Sequence, residues 1–429
     1  MPSFFGVLRH NSNYRYTWIG QIVSEIGDHF NNIAVFALAL AHTKSGLVVS
    51  GIMLSRAIPA ILAGPIAGVV LDRFDRRRIM LASDLFRAVL ALGFILALYT
   101  KGNGILYVFS ALLMFASPFF SSGRSAILPT ITTPEELHIA NSLTQTTQAA
   151  TLTLGTLFAG IAVDQLGFEW AFVFNSLSFL ISAFCVSRLK VKKGSFRAQR
   201  AALTESDVAR PWHEYREGLR YMKSSPLILG LALLGVGWAT GGGAAQILFS
   251  IFGELVFQRG ASGIGIIWAF AGVGLLVGGG FAYWLGKRIS FRAYRWTIVV
   301  CYVIHGGAYV IFSQMTSFAM ALFFIALSRA AISVSSVLNN NQLLRHVHNE
   351  YRGRVFSTIE SMVWATMMLS LAGAGIASQH FNPRTIGAAA GILSSMTAIF
   401  WGWGTITDRL KEPELQPAVD LEIHGEPTI

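Results

Sequence analysis

Four polar side chains, Gln21, Glu25, Asp28 and Asn32, recur at i, i+4, i+7 and i+11, so one face of a single helix carries all of them. Apolar residues surround them, and Asp28 falls near the middle of the run. An ionised carboxylate at the centre of a bilayer costs roughly 2.5–3.5 kcal/mol on insertion scales, so it is kept only where it faces a cavity, pairs with a cation or takes up a proton. Each of these suits a path for a solute. A carboxyl that gains a proton changes charge, and that change can bias one conformation over another. Asp28 is therefore the first candidate for proton coupling. Glu25, closer to the start of the run, is the second, while Gln21 and Asn32 would line the same path. The alternative for Asp28 is a structural ion pair, with Arg56 as the prospective partner.

Other polar groups in apolar surroundings follow the same logic. Asp84 and Arg87 stand three apart, on one helical turn, and are expected to neutralise each other. Arg329 and Glu360 come at similar depths in two later apolar runs and are expected to pair, as a structural or gating contact or as a contact for substrate. The segment Thr144-Gln145-Thr146-Thr147-Gln148, continuing through Thr151 and Thr153, is rich in hydroxyls and amides. Cross-helix bonding accounts for some of these. Gln145, Gln148 and Thr151 are expected at a cavity with Trp238, Gln246 and Trp364. Such an aromatic and amide lining suits an amphipathic solute better than a phosphorylated one. Gly241-Gly242-Gly243 and Gly278-Gly279-Gly280 are not phosphate loops, since no Lys-Ser/Thr follows; they read as bends or close helix crossings. Nothing has the spacing of a nucleotide site, a nucleophile elbow or a zinc cluster, so neither metal nor cofactor is expected. His305, His346 and His348 keep a membrane enzyme among the alternatives.

The elements that must position these residues are membrane helices. Of 429 residues, 53% are hydrophobic and 13% charged, about half the charge of a soluble domain. The apolar runs approach the roughly 20 residues that cross a bilayer. Twelve spans are predicted, at about 15–42, 47–71, 79–100, 104–123, 139–163, 169–188, 226–250, 262–285, 296–313, 317–340, 355–379 and 385–408. The start of the chain lacks the features of a cleaved signal, so the first span is expected to be retained. Cys185 and Cys301 lie inside apolar runs and read as packing residues.

A net charge of +11 would suggest nucleic acid in a soluble protein. Here the positions of the cations decide. Between alternate spans, one side holds only Lys44, Lys101, Arg259 and Arg384; Arg56, Arg87 and Arg329 lie within spans, and all others fall on the opposite side or in the tails. That bias places both termini in the cytoplasm. Residues 189–225 form a basic polar linker, in which Trp212, Tyr215, Leu219 and Met222 share one helical face, the pattern of an amphipathic helix on the inner leaflet. The chain thus divides into a six-helix bundle at 1–188, the linker, a second bundle at 226–408 and a mobile tail at 409–429. Matches at an offset of 214 residues support duplication: Gly64 with Gly278, Gly68 with Ala282, Arg73 with Lys287, Arg78 with Arg292 and Glu136 with Glu350.

The second span ends in Gly64-Pro-Ile-Ala-Gly68-Val-Val-Leu-Asp72-Arg73-Phe-Asp75-Arg76-Arg77-Arg78. Its glycines would permit close helix packing, and its charges can meet helix ends or lipid phosphate. This stretch resembles the G-x-x-x-D-R-x-x-R-[RK] signature of the major facilitator superfamily, carried here by Gly68, Asp72, Arg73, Arg76 or Arg77, and Arg78. The resemblance implies an inner-gate latch, with Arg124 of the fourth span reaching Asp72 and with Asp84 and Arg87 bracing the same gate. It narrows to the branch of macrolide-efflux and enterobactin-export proteins on Gly20-Gln21, Gly27-Asp28, Asp84, Arg87, Gly123 to Pro129, Pro134 to Leu137, Ala140-Asn141-Ser142, Phe174 to Ala183 and Glu350 to Ser357. Antiporters of the superfamily often carry a G-P-x-x-G-G bend in span five. This chain has Gly155-Thr-Leu-Phe-Ala-Gly160, without the proline and one glycine.

The expectation is an all-α membrane protein of twelve transmembrane helices in two pseudo-symmetric bundles. It would export a small amphipathic molecule from a bacterial cytoplasm by alternating access and proton antiport. Its expected partners are the solute, protons and membrane lipid, with no nucleic acid, and the chain is expected to act as a monomer. A lipid or lysolipid flippase is the rival within transport; a membrane enzyme or a non-transporting receptor is the rival outside it.

Overall fold

The apolar runs become helices whose ends are set by capping residues rather than by hydropathy alone. A computed structural model describes residues 4–100, 102–190 and 206–412. A short helix α1 (Phe4–His10) leads into α2 (Ser12–Thr43), α3 (Gly46–Arg73), α4 (Arg76–Gly93, extended by a tighter turn over Phe94–Leu98), α5 (Gly104–Ile131), α6 (Pro134–Leu166) and α7 (Phe168–Ser187). Helix α8 (Ser206–Ser224) precedes α9 (Pro226–Ile251, with a wider turn over Phe252–Val256), α10 (Gly260–Gly286), α11 (Phe291–Gln314), α12 (Phe318–His346), α13 (Asn349–Ala377) and α14 (Pro383–Ile406).

Eleven of these are long and apolar enough to cross a membrane. The twelfth expected span, α2, has 32 residues, but its polar stripe dilutes its hydropathy. Several helices run past the predicted ends because a cap closes them beyond the apolar stretch. Helix α6 starts at Pro134, where Thr133 and Glu136 form a reciprocal capping box. Asn11 caps α2 through Tyr14 N and donates to Ile131 O and Glu136 Oε2, at 2.7 and 2.9 Å, binding three helix ends together.

Helix pairings repeat between the halves. Helices α3 and α5 pack as α10 and α12 do, α4 and α7 as α11 and α14, and α2 and α6 as α9 and α13. Across the halves the most extensive contacts are α6 with α10 and α3 with α13, two pairs that exchange under the same repeat. Glycines make the tight crossings. A Cβ on Gly243 would come within 2.2 Å of Met367 O on α13, and one on Gly278 within 2.2 Å of Ala330 O on α12. Gly243→Ala should therefore lower the unfolding temperature in detergent, because overpacking of about 1–3 kcal/mol outweighs the roughly 1 kcal/mol of helix propensity gained. Gly280→Ala, where nothing lies within 4 Å, should leave it unchanged or raise it.

The linker helix differs from expectation. The Trp212 side chain lies outside the described residues, but Met222 is 1% exposed and packs with Leu219 and Tyr221 into the core of the second half. Tyr221 stacks on Tyr351 with centroids 4.5 Å apart, Glu217 meets Arg354 at 2.8 Å, and Gly218 abuts Thr358. The Leu219–Met222 end of the apolar face of α8 is thus packed against the second half, with α13 alongside. The start of the tail is also held: Arg295 bonds Asp408 at 2.9 Å and Leu410 O at 3.1 Å, and the hydrogen bond from Arg295 holds the Asp408 carboxyl below its usual range. Residues 413–429, the rest of the expected mobile tail, and the basic stretch 191–205 lie outside the described residues. Cys185 and Cys301 are both free and buried.

Candidate functional site

The two halves meet at the end of the bundle away from the termini. There Ser50 of α3 donates to Leu371 O of α13 at 2.9 Å, and Gly160 of α6 lies against Ala261 and Gly265 of α10. Asp164, at the end of α6, accepts the amides of Ala261 and Ser262 at 2.9 and 3.0 Å, so a carboxylate from one half caps a helix of the other. Sequence reasoning does not single out Asp164, because no local pattern ties it to a helix start about a hundred residues later. Asp164→Ala should weaken this closed end by about 0.5–2 kcal/mol. Spin labels at Leu166 and His380 would then show a broader, longer distance distribution; an unchanged one would argue against a cross-half latch.

Toward the termini the halves stand apart. Added Cβ atoms on Gly64 and Gly68 would meet nothing within 4 Å. The close packing expected of them is absent in this conformation, whereas Leu47 and Ser50, in the first turns of α3, do meet α13. Asp72 is exposed and meets Arg76 at 3.8 Å, rather than Arg124. Arg76 and Arg77 instead hold backbone carbonyls within their own half: Arg76 donates to Ala126 O at 2.9 Å, and Arg77 to Val186 O at 3.1 Å and to Ser187 O. Arg78 contributes its backbone amide to the Asp75 cap of α4, and Arg73 lies in the last turn of α3. Arg124 lines a separate pocket of about 190 Å³ with Gln21, Trp18 and Asn141, and its Nη1 is buried without a protein acceptor.

Between these ends lies a chamber in two joined parts. One, of about 320 Å³, is bounded by His29, Asn32, Phe36, Arg56, Met114, Thr156 and Trp364. The other, of about 480 Å³, is bounded by Trp238, Tyr302, Arg329, Asn339 and Asn340. Leu152, Gln246 and Trp268 belong to both walls. The structure brings Asn32, Arg56, Trp238, Gln246, Arg329 and Trp364 to one space, together with His29 and Trp268. His29 follows Asp28 directly; a lone histidine in an apolar helix gave no further signal. Gly155 leaves room for it, since a Cβ there would come within 2.8 Å of the His29 ring.

The two acids of the stripe differ in their surroundings. Glu25 has both oxygens engaged, by Gln21 Nε2 and by Thr151 Oγ1, each at 2.8 Å. Asp28 Oδ1 is buried with no hydrogen-bond partner, and so is Nη1 of Arg56. No ion pair joins Asp28 and Arg56 within 4 Å. Such a group is costly to keep, about 1–3 kcal/mol for an unmade bond. The Asp84–Arg87 pair is formed and fully buried, with the guanidinium between the rings of Phe120 and Phe179.

Three expectations change. Arg329 and Glu360 do not pair: Glu360 is exposed on the same face of α13 as Trp364, one turn nearer the termini, while Arg329 lies 5.0 Å from the Phe249 ring centroid. Similar depth set no azimuth. Gln145 and Gln148 line neither part of the chamber and are exposed, Gln145 sharing a face of α6 with Leu152 and Thr156 toward the open mouth. Thr151 faces α2 and holds Glu25 rather than lining the chamber. Among the described residues no cluster of His, Cys, Asp and Glu is arranged to hold a metal.

Comparison with known proteins agrees with this architecture. BacE of Bacillus subtilis, named for bacilysin export, is 26% identical over 356 residues, covering 82% of this chain and 85% of its own. Macrolide efflux protein A of Streptococcus pyogenes is 22% identical over 360 residues, covering 82% and 86%. A bacterial homologue of the iron transporter ferroportin, solved in an inward-facing state, superposes with a TM-score of 0.68 at 17% identity, covering 91% of this chain and 98% of that one. A peptide transporter in complex with alafosfalin gives 0.69 at 12% identity, covering 96% and 97%. These structures share the fold. Residues 17–370 match the Major Facilitator Superfamily, and the chain belongs to that family of multi-pass membrane transporters, which are not enzymes.

Proposed function

We propose that this transporter exports a small amphipathic solute across the cytoplasmic membrane of a bacterium, by alternating access coupled to inward movement of protons through Asp28. The observation that carries the reading is the Asp28 carboxyl at mid-helix, which lies outside the chamber lining but has Oδ1 buried and unpartnered, directly before His29 and one turn from Asn32, both of which line it. An acid held in that way gains most from taking a proton, and losing it again biases the conformational equilibrium. The distribution of Lys and Arg supports placing the termini, and with them the open mouth, in the cytoplasm. Efflux-type relatives support the direction. Indole, phenol and amide groups around the chamber suit a solute with an apolar body and a few polar groups. The two halves, joined by repeated helix pairs, are the units that would rock.

The test is accumulation of dyes, macrolides and siderophores in efflux-deficient bacteria with and without the protein. Expression should lower accumulation of at least one compound several-fold, and a protonophore should restore it. Export that persists without a proton gradient would remove the coupling from this reading, and higher accumulation on expression would reverse its direction.

A further inference from the structure

In the second half of the molecule, three buried donors converge without protein acceptors. Arg329 of α12 is 8% exposed, and its Nε has no hydrogen-bond partner. Tyr309 of α11 is 2% exposed, and its hydroxyl is unpartnered. Trp238 of α9 has its indole Nε1 buried and unpartnered. All three line one void of about 10 Å³ beside His305 and Ser394, and Trp238 and Arg329 also face the 480 Å³ part of the chamber. The neighbouring polar groups are already engaged. His305 Nδ1 lies 2.8 Å from Ser328 Oγ, and Ser394 donates to Trp238 O at 3.0 Å.

Chemically this is a set of donors short of an acceptor. Guanidinium and indole N–H groups can only donate, and a guanidinium keeps its charge in a protein. No Asp or Glu lines either the void or the 480 Å³ part. A desolvated arginine with no carboxylate from its own chain is unfavourable unless a ligand supplies one. The void has room for about one oxygen atom. That fits the tip of a carboxylate whose body extends into the larger part. The aromatic and amide walls next to it, Trp268 and Asn339 among them, would receive an apolar body with further hydrogen-bonding groups.

We infer that the exported solute is a carboxylic acid, held by its carboxylate on Arg329, Tyr309 and Trp238. The inference rests on the chamber being the transport path, and it deepens that reading by naming the substrate class. With Asp28 and Arg56 both in the first half, the second half fixes the anionic end of the cargo while the first half handles the proton.

The test is binding, independent of export. Purified protein in nanodiscs is titrated at constant ionic strength with benzoate and N-acetyl-phenylalanine, each against its neutral amide, reading tryptophan fluorescence and unfolding temperature. The acids should bind at least about tenfold tighter than the amides, as expected for a charge-assisted bond to a buried guanidinium. Arg329→Gln should abolish that difference, Arg329→Lys should retain part of it, and Tyr309→Phe and Trp238→Phe should each reduce it several-fold. Tyr309→Phe nearly conserves shape, so it reports even if Arg329→Gln does not fold. Equal binding of acid and amide by the wild type would overturn the assignment, as would an acid preference that survives Arg329→Gln. An acid preference in a protein that exports nothing would leave this site standing and sink the export reading instead.

Discussion

Asp28→Asn is expected to reduce export at least tenfold at unchanged expression, while the unfolding temperature stays the same or rises. The two effects separate because they have different sources. Coupling needs a group that changes charge, which asparagine cannot do. Stability, in contrast, is burdened by a chargeable group in a membrane helix, at roughly 2.5–3.5 kcal/mol if ionised, and Asp28 Oδ1 has no hydrogen bond to offset that. A structural ion pair with Arg56 predicts the reverse. Asp28→Asn would then lower the unfolding temperature, and adding Arg56→Gln would restore it by removing the orphaned cation. Glu25→Gln is the internal comparison. Glu25 is already held by Gln21 and Thr151, so its neutral isostere should cost less export than Asp28→Asn. Equal losses at both positions would make the two acids a single unit.

Gly68→Leu is expected to stop transport while leaving folding and ligand binding intact, and Gly64→Leu should act in the same way. In the conformation described here neither glycine has a neighbour within 4 Å of an added Cβ. A leucine can be accommodated there, and it improves helix propensity by somewhat under about 1 kcal/mol. The conformation that matters is the other one. On the proposed alternating access, the halves close at the end bearing the termini and the second part of α3 approaches α13, so a branched side chain on that face would hold them apart. Spin labels across the mouth should report only the open distance, even with solute bound. Gly307→Leu, also in open space on α11, should transport normally. If Gly68→Leu transports at the wild-type rate, the face bearing Gly64 and Gly68 is not the closing surface.

What could be read from the chain follows from periodicity and proximity along it. The polar stripe of α2 was legible because spacings of three and four residues define a helical face. Asp84 and Arg87 pair because one turn separates them. Gly241, Gly243 and Gly278 mark close crossings, as their density inside apolar runs suggested. Twelve long helices and their repeated arrangement were legible because a bilayer admits few other solutions for such runs.

The azimuth and pairing of those helices were not legible. Depth along a helix placed Arg329 and Glu360 at one level, yet α13 turns Glu360 beside Trp364 and away from α12. The amphipathic pattern of α8 does not distinguish a lipid surface from α13, because both offer an apolar face; the stacking of Tyr221 on Tyr351 and the Glu217–Arg354 pair tie its C-terminal end to α13. Gly64 and Gly68 carry a signature for close packing, but in this structure nothing packs against them. Asp164 caps α10 and Tyr309 joins Trp238 and Arg329 across sequence distances that no local pattern spans. The sequence by itself determined the helices, their number and the face each polar group occupies, since these depend on local hydrogen bonding and on transfer from water to lipid. Only the tertiary structure decided which faces meet, because that depends on side-chain volumes and crossing distances summed over both halves.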